Sequence, residues 1–343
     1  MQTRLLDYFS DTDLDGAFAE AARILRDGGL VAFPTETVYG LGANALNPDA
    51  VEKIYQAKGR PSDNPLIVHI AEEAAAEKLA EVSPLARQLM AAFWPGPLTL
   101  VLPAKPILPA QTCGGLNTVG LRMPAHPAAL RLIREADIPV AAPSANLSGR
   151  PSPTCANHVL QDFQGKIPLI IDGGEAAAGL ESTVLDLASA VPAILRPGVI
   201  TAADLADFIP GLSEETHLPE GGVARAPGMK YRHYAPKAGV LLCRREDIYQ
   251  TYLAEYQRLA AAGSPAPKIA VIATLQGLNG LAQAENCFLL GETPEQAAQN
   301  LFAALRWTDE INADLVLAET FAEKGVGIAI MNRLKKAAGT LDK

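Results

Sequence analysis

The sequence predicts an α/β protein built in two parts: a mixed sheet with helices packed on it, then a smaller open α/β domain with a parallel sheet. Three observations predict it. Up to residue 210, short apolar runs of strand character outnumber helical ones and are unevenly spaced, which suits a mixed sheet better than a regular βαβ repeat. Residues 211–237 are rich in Gly, Pro and charge and carry no periodicity, as a domain boundary does. Beyond them, strand-like and helical segments alternate. The expected division is therefore residues 1–210, a linker at 211–238, and a small domain at 239–343. With 343 residues, 49% of them apolar, the chain is long enough for both domains and a substantial core.

Taken in order, residues 14–26 have helical apolar spacing and stop at Gly28-Gly29. Leu30-Val31-Ala32-Phe33 reads as a buried strand. Asn47 and Pro48, as cap and first turn, open a helix to about residue 57. Residues 66–70 read as a strand, and Ser83-Pro84 starts a helix ending near Phe93. Further strands are expected at 98–102, 119–122, 140–142, 167–171, 183–187 and 193–195. In the second part, 240–243, 268–272, 287–290 and 314–317 are strand-like, and 247–261, 294–312 and 327–338 are helical. No internal repeat or low-complexity tract is present.

Bulk properties narrow the function. The net charge of −9 argues against a general nucleic-acid coat. Yet no acid falls between Glu220 and Glu246, where Arg225, Lys230, Arg232, Lys237, Arg244 and Arg245 do. That segment is either an anion-binding surface or a solvated basic linker. Cys113, Cys155, Cys243 and Cys287 lie far apart without metal-ligand spacing, which suits reduced thiols in the cytosol. The N-terminus lacks a signal pattern and no apolar run is long enough to span a bilayer, so a soluble, cytoplasmic protein is expected.

The segment Lys58-Gly59-Arg60-Pro61-Ser62-Asp63-Asn64-Pro65 carries the sharpest chemical signal. Two cations stand one residue apart on a turn stiffened by prolines, ahead of a buried strand. Lys58 as a point charge and Arg60 as a planar fork suit β- and γ-phosphate oxygens; the alternative is surface charge at a helix end. There is no Walker A sequence, so a nucleotide site here is of another kind. A second loop, Pro143-Ser144-Ala145-Asn146-Leu147-Ser148-Gly149-Arg150-Pro151-Ser152, adds hydroxyls, an amide and a cation. Serine nucleophiles are rejected: Gly-x-Ser-x-Gly is missing and no adjacent histidine offers a base. Phe33-Pro34-Thr35-Glu36-Thr37-Val38-Tyr39-Gly40-Leu41-Gly42 clusters two threonines and a carboxylate where the chain leaves a strand, as a ligand loop or a side-chain-stabilised turn. His69 sits in an apolar strand. Arg122, at a strand end, must meet an acidic side chain or a substrate carboxylate if buried. Glu181-Ser182-Thr183 and Leu195-Arg196-Pro197-Gly198 repeat the theme of a polar group at a strand end.

In ordered succession these blocks resemble the YrdC-type threonylcarbamoyl-AMP synthases in their long, two-domain form. The likeness includes Lys58-Gly59-Arg60 with Ser144-Ala145-Asn146, the linker Ala226-Pro227-Gly228-Met229-Lys230-Tyr231-Arg232-His233-Tyr234-Ala235-Pro236, and Ile330-Met331-Asn332-Arg333. Asn117 and Ala226 depart from the family pattern, at positions without an expected catalytic role. The resemblance implies a twisted YrdC-like α/β catalytic domain joined to a small Rossmann-like domain. It implies that L-threonine, bicarbonate and ATP yield threonylcarbamoyl-AMP and pyrophosphate, and that a separate transferase carries the product to tRNA. By matching positions, Thr37, His69, Arg122, Ala142 and Ser182 would hold threonine. Lys58, Arg60, Asn64, Thr118, Ser144, Asn146, Ser152 and Arg196 would hold ATP, with Lys58 and Arg60 catalytic. Tyr231, His233 and Tyr234 of the linker would fold over the nucleotide. ATP serves as substrate, Mg²⁺ is expected to accompany it without a dedicated protein cage, and no organic cofactor is expected. The rival readings are a structured-RNA binder without chemistry, a use also suggested for the family's basic face, and a carbamoyl-transfer domain using carbamoyl phosphate.

Overall fold

The computed structural model describes residues 2–214, 233–262, 266–281 and 286–339. The predicted lid segment thus falls largely outside the described residues, Tyr231 with it. The chain forms two compact units, residues 1–148 with 152–231, and residues 149–151 with 232–343.

The first unit is a mixed sheet with helices on it. Its strands are β1 (Arg4–Asp7), β2 (Val31–Phe33), β3 (Gly40–Asn44), β4 (Ile67–His69), β5 (Leu98–Pro103), β6 (Thr118–Arg122), β7 (Val140–Ala141), β8 (Leu169–Asp172), β9 (Thr183–Asp186), β10 (Ala193–Arg196) and β11 (Ser213–Glu214). They pair in the order β1-β8-β2-β3-β7-β4-β6-β5-β9-β10-β11. β4 runs parallel to β6 and β5 to β9, whereas β7 is antiparallel to both β3 and β4.

The helices of this unit are α1 (Leu14–Arg26), α2 (Pro48–Lys58), α3 (Ala76–Leu79), α4 (Pro84–Phe93), α5 (Ala110–Cys113), α6 (Pro127–Ala136) and α7 (Ala156–Phe163). α1 starts under Asp13, whose carboxylate accepts from the Gly16 amide, and buries Ala17, Phe18, Ala21, Ala22 and Leu25 on one stripe. α2 is capped by the Asn47 side chain and stops at Gly59, whose φ of 62° is left-handed. That stop fixes where Lys58 and Arg60 leave the helix. The sequence reading omits β1, β3, β11, α3, α5, α6 and α7. α6 hides because its cap is His126 and its left-handed C-terminal residue is Asp137, at φ 51°, rather than a glycine.

The second unit contains β12 (Gly239–Cys243), α8 (Ile248–Ala261), β13 (Ile269–Ala273), β14 (Cys287–Leu289), α9 (Pro294–Glu310), β15 (Leu315–Glu319) and α10 (Val326–Ala338). Its sheet is parallel throughout, in the order β12-β15-β13-β14, as the regular alternation predicts. Buried Val271, Ala273 and Leu317 pack with Ile248 and Leu278 to form its core. Residues 149–151 join this unit because buried Arg306 donates twice to the Pro151 carbonyl, at 3.1 and 2.7 Å, while Arg150 pairs with Asp309 at 3.4 Å. Among the described residues, no helix is long and apolar enough to cross a membrane.

Candidate active site

Alternation along β6 turns Thr118, Gly120 and Arg122 to one face of the first unit's sheet. The β4–β6 register sets Ile67 beside Gly120 and His69 beside Arg122. A side chain at Gly120 would come within 3.2 Å of the Thr99 methyl, so glycine keeps this floor low.

Arg122 is buried at 4% exposure and is the hub. It donates from Nη1 to Thr37 Oγ1 at 2.9 Å and from Nε to the Gly96 carbonyl at 3.2 Å. Its Nη2 lies 2.7 Å from Glu36 Oε1, close enough for an ion pair yet without hydrogen-bond geometry, so both Glu36 oxygens and Nη2 keep no hydrogen-bond partner. Of the two partners expected for a buried Arg122, an acidic side chain is thus present, Glu36. Thr35 organises the turn: its hydroxyl accepts from the Thr37 and Val38 amides at 3.2 Å, donates to the Val38 carbonyl, and lies 2.8 Å from the Thr37 hydroxyl.

His69 meets the Phe33 ring edge-on at 6.0 Å and its Nδ1 has no partner. Burial, reinforced by the Arg122 charge, pushes its pKa down to about 3, so the imidazole is neutral at physiological pH. Ala142, beyond β7, donates its amide to the Ile67 carbonyl at 2.9 Å and lies on the same side as Phe33.

Next along the sheet, Ser182 Oγ lies 2.7 Å from Thr99 Oγ1 and accepts from Arg196 Nη2 at 3.1 Å. Arg196 also clasps the Ser182 carbonyl through Nε and Nη2 at 3.1 and 2.9 Å. The Gly96-Pro97 segment ahead of β5 links these groups to Arg122: Gly96 accepts from Arg122, and the Thr183 amide donates to the Pro97 carbonyl at 3.0 Å. Ser152 Oγ donates to Glu181 Oε1 at 2.6 Å.

The Lys58–Arg60 turn faces the Ser144–Asn146 loop. Buried Lys58 donates its ammonium to the Ser144 carbonyl, to the Asn146 carbonyl at 2.5 Å and to Asn146 Oδ1 at 3.4 Å. The sequence reading put this charge on phosphate; in the structure it first of all fastens a loop. Arg60 Nη2 donates to the carbonyls of Asn64 and Pro65 at 3.3 and 3.2 Å. Asn64 is 1% exposed, and both polar atoms of its amide lack a partner.

The structure thus brings Thr37, His69 and Arg122 together, joins Ser182 to Arg196, and joins Lys58 to Ser144 and Asn146. Thr118 stands on the same face of β6 as Arg122. His233 and Tyr234 lie in the second unit, where Tyr234 packs on Phe302 with ring centroids 5.1 Å apart and lies under the Arg333 guanidinium at 5.8 Å. The sequence reading offers Thr35 and Glu36 only as part of a possible ligand loop and gives no individual site role to them, to Thr99 or to Glu181. Glu36 had a signal, an acid inside the threonine cluster; Thr99 had a weaker one, a hydroxyl in an otherwise apolar strand.

A mixed α/β sheet bearing a buried guanidinium, a neutral imidazole and hydroxyls, in a unit that also carries a cationic turn, defines a class: a YrdC-like α/β protein. Residues 23–198 match a family model described as telomere recombination (Sua5, YciO, YrdC), and residues 200–339 match the threonylcarbamoyl-AMP synthase C-terminal domain. The chain is 50% identical to a threonylcarbamoyl-AMP synthase of Pyrococcus abyssi over 93% of each chain, and 48% identical to that of Bacillus subtilis over 95% of this chain and 94% of the other. It superimposes on the crystal structure of P. abyssi Sua5 complexed with L-threonine with a TM-score of 0.90, at 46% identity and 98% coverage of both chains. The chain belongs to the threonylcarbamoyl-AMP synthase family, in its two-domain form. It is an enzyme of nucleotidyl transfer, making threonylcarbamoyl-AMP.

Proposed function

We propose that the face around Arg122 holds L-threonine and that the turn at Arg60 and Asn64, with the Ser144–Asn146 loop, holds ATP. Arg122 pairs with the α-carboxylate, and Thr37 and neutral His69 meet the polar groups, beside Ala142 and Ser182. The threonine complex of the P. abyssi relative supports an amino-acid site on this fold. Arg60, Thr118, Ser152 and Arg196 complete the nucleotide side, and Lys58 adds its charge from beneath the loop it fastens. The observation that carries this reading is the set of buried polar atoms without a hydrogen bond on Glu36, Asn64, His69 and Arg122, which a polar ligand would satisfy.

The threonine amine adds to bicarbonate, giving a carbamate with loss of water. A carbamate oxygen then attacks the α-phosphorus in line, the bond to the β-phosphate oxygen breaks, and pyrophosphate leaves with that electron pair. Catalysis is chiefly positioning and charge stabilisation. No cluster of three or more His, Cys, Asp or Glu among the described residues fits a metal. Mg²⁺ would enter on the triphosphate. The linker with Tyr231, His233 and Tyr234 acts as a nucleotide lid in this reading. A P. abyssi Sua5 variant with a histidine and a tyrosine replaced by alanine concerns residue types that stand adjacent here only at His233-Tyr234. The product would pass in the cytoplasm to a separate transferase acting on tRNA, with RNA contact by this chain weak.

The test is pyrophosphate release from ATP, which should require both threonine and bicarbonate. Arg60→Ala should lower turnover at least tenfold, since a charge-assisted contact contributes roughly 1.5–3 kcal/mol. Wild-type turnover in that variant removes Arg60 from the site, and release without threonine refutes the reaction.

A further inference from the structure

We propose that the carboxyl edge of the second unit's sheet is a separate anion site, which takes the phosphate group of a small phosphorylated ligand. A cavity of about 560 Å³ opens there, within the size range of small-ligand pockets. Arg244, Arg245, Thr320, Phe321 and Lys324 line it, with Glu246 the one acid among its lining residues. Arg244 and Arg245 follow β12, and Thr320 to Lys324 follow β15, so the cavity stands outside the carboxyl ends of parallel strands. That is where open α/β sheets place their ligands.

The cations are held for use rather than merely present. Glu319 ends β15 at 1% exposure. Its carboxylate accepts from the Thr274 amide and hydroxyl, both at 2.7 Å, and from Arg245 Nε at 2.7 Å. Arg245 Nη1 also donates to Gln276 Oε1. A buried carboxylate and a glutamine thus fix one guanidinium at the strand edge, leaving Nη2 without a partner among the described residues. The fit is close: a side chain at Gly277 would stand 2.5 Å from Glu319 Oε2. Arg244 pairs with Asp247 at 2.8 Å and with Glu246 at 3.7 Å, but these side chains are about half exposed or more. Surface pairs of that kind are weak, and a phosphate dianion displaces them readily. The acid next to Lys324, Glu323, is occupied by Lys335 at 2.5 Å. Lys324 itself bonds to no described residue through its side chain. Phe321 adds an apolar wall beside three cations, which suits a phosphate attached to an organic group. The established reaction uses and releases such anions, so one class of ligand is always at hand.

The site is independent of the substrate assignment above, and equilibrium dialysis of the full-length protein tests it with labelled pyrophosphate and labelled AMP as probes. Two classes of binding site are expected for at least one probe. Arg245→Gln and Lys324→Gln should each weaken one class at least tenfold while leaving turnover unchanged. Arg196→Ala should weaken the other class, and failure of that arm alone concerns the substrate assignment. If Arg245→Gln unfolds the second unit by releasing Glu319, Lys324→Gln carries the test. Tighter binding of AMP identifies a nucleotide as ligand, and tighter binding of pyrophosphate identifies the inorganic product. A single class of sites, or two classes that both ignore Arg245→Gln and Lys324→Gln, overturns the proposal.

Discussion

Replacing Arg122 by Gln should separate two roles that the structure superimposes. Arg122 is 4% exposed and faces Glu36, itself 15% exposed, across 2.7 Å. Its loss leaves a nearly buried carboxylate without a counter-charge, and breaking such a pair costs about 3–5 kcal/mol. For a unit of this size that lowers Tm by roughly 6–20 °C. Losing the contact to the threonine carboxylate should cost a further 1.5–3 kcal/mol or so in transition-state binding, about 10–150-fold in kcat/KM. Joining Glu36→Gln to Arg122→Gln removes both charges, and two amides can hydrogen-bond, so most of the lost stability should return. Activity should not return, because no cation remains for the substrate. Thermal melts and threonine-dependent pyrophosphate release read the two effects separately. A double variant with near-normal kcat/KM for threonine would show that Arg122 is a structural arginine and would refute its assignment to the carboxylate.

Two further outcomes follow from the same face of the sheet. His69 is held at a pKa of about 3 by burial and by Arg122, against an ordinary value near 6.5. Between those pH values the unfolded chain takes up a proton that the folded chain refuses, so this contribution to stability is complete above about pH 6.5 and falls as the pH drops, by up to about 1.4 kcal/mol per unit. Urea midpoints measured from pH 7 to 4 should show a shallower fall in His69→Asn than in wild type; equal slopes would contradict a depressed His69. Gly42→Ala would set a Cβ 2.8 Å from the Phe33 ring and 2.9 Å from Val140 Cγ1. Overpacking of that degree costs about 1–3 kcal/mol, and Phe33→Leu should recover part of the loss in a melting experiment.

Much of the fold was legible where local signals follow common chemistry. The Asn47-Pro48 start and the Gly59 stop of α2 were readable because cap and left-handed glycine act within a few residues. α6 escaped because His126 and Asp137 do those jobs with unusual residues. β3 escaped because Gly40 and Gly42 have poor strand propensity; their value lies in the room they leave for Phe33, which no local pattern reveals. The candidate site was legible as residue types but not as pairings. That a buried Arg122 needs either an acidic side chain or a substrate carboxylate follows from the cost of an unpaired charge, but that Glu36 pairs with it is visible only in the fold. Lys58 was read as a phosphate ligand because its charge is visible in sequence, whereas the carbonyls of Ser144 and Asn146 that engage it are not.

The distribution of unsatisfied groups argues for a binding site more strongly than any single residue does. Glu36, Asn64, His69 and Arg122 come from the β2–β3 turn, the α2–β4 loop, β4 and β6. Each keeps a buried polar atom without a hydrogen bond. For the uncharged atoms of Asn64 and His69 this costs about 1–3 kcal/mol each, whereas Glu36 Oε1 and Arg122 Nη2 lie 2.7 Å apart as an ion pair. In the proposed reading, a polar substrate would meet these atoms on binding. The same separation in sequence that hid these partners lets the sheet gather Glu36, His69 and Arg122 from three segments on one face.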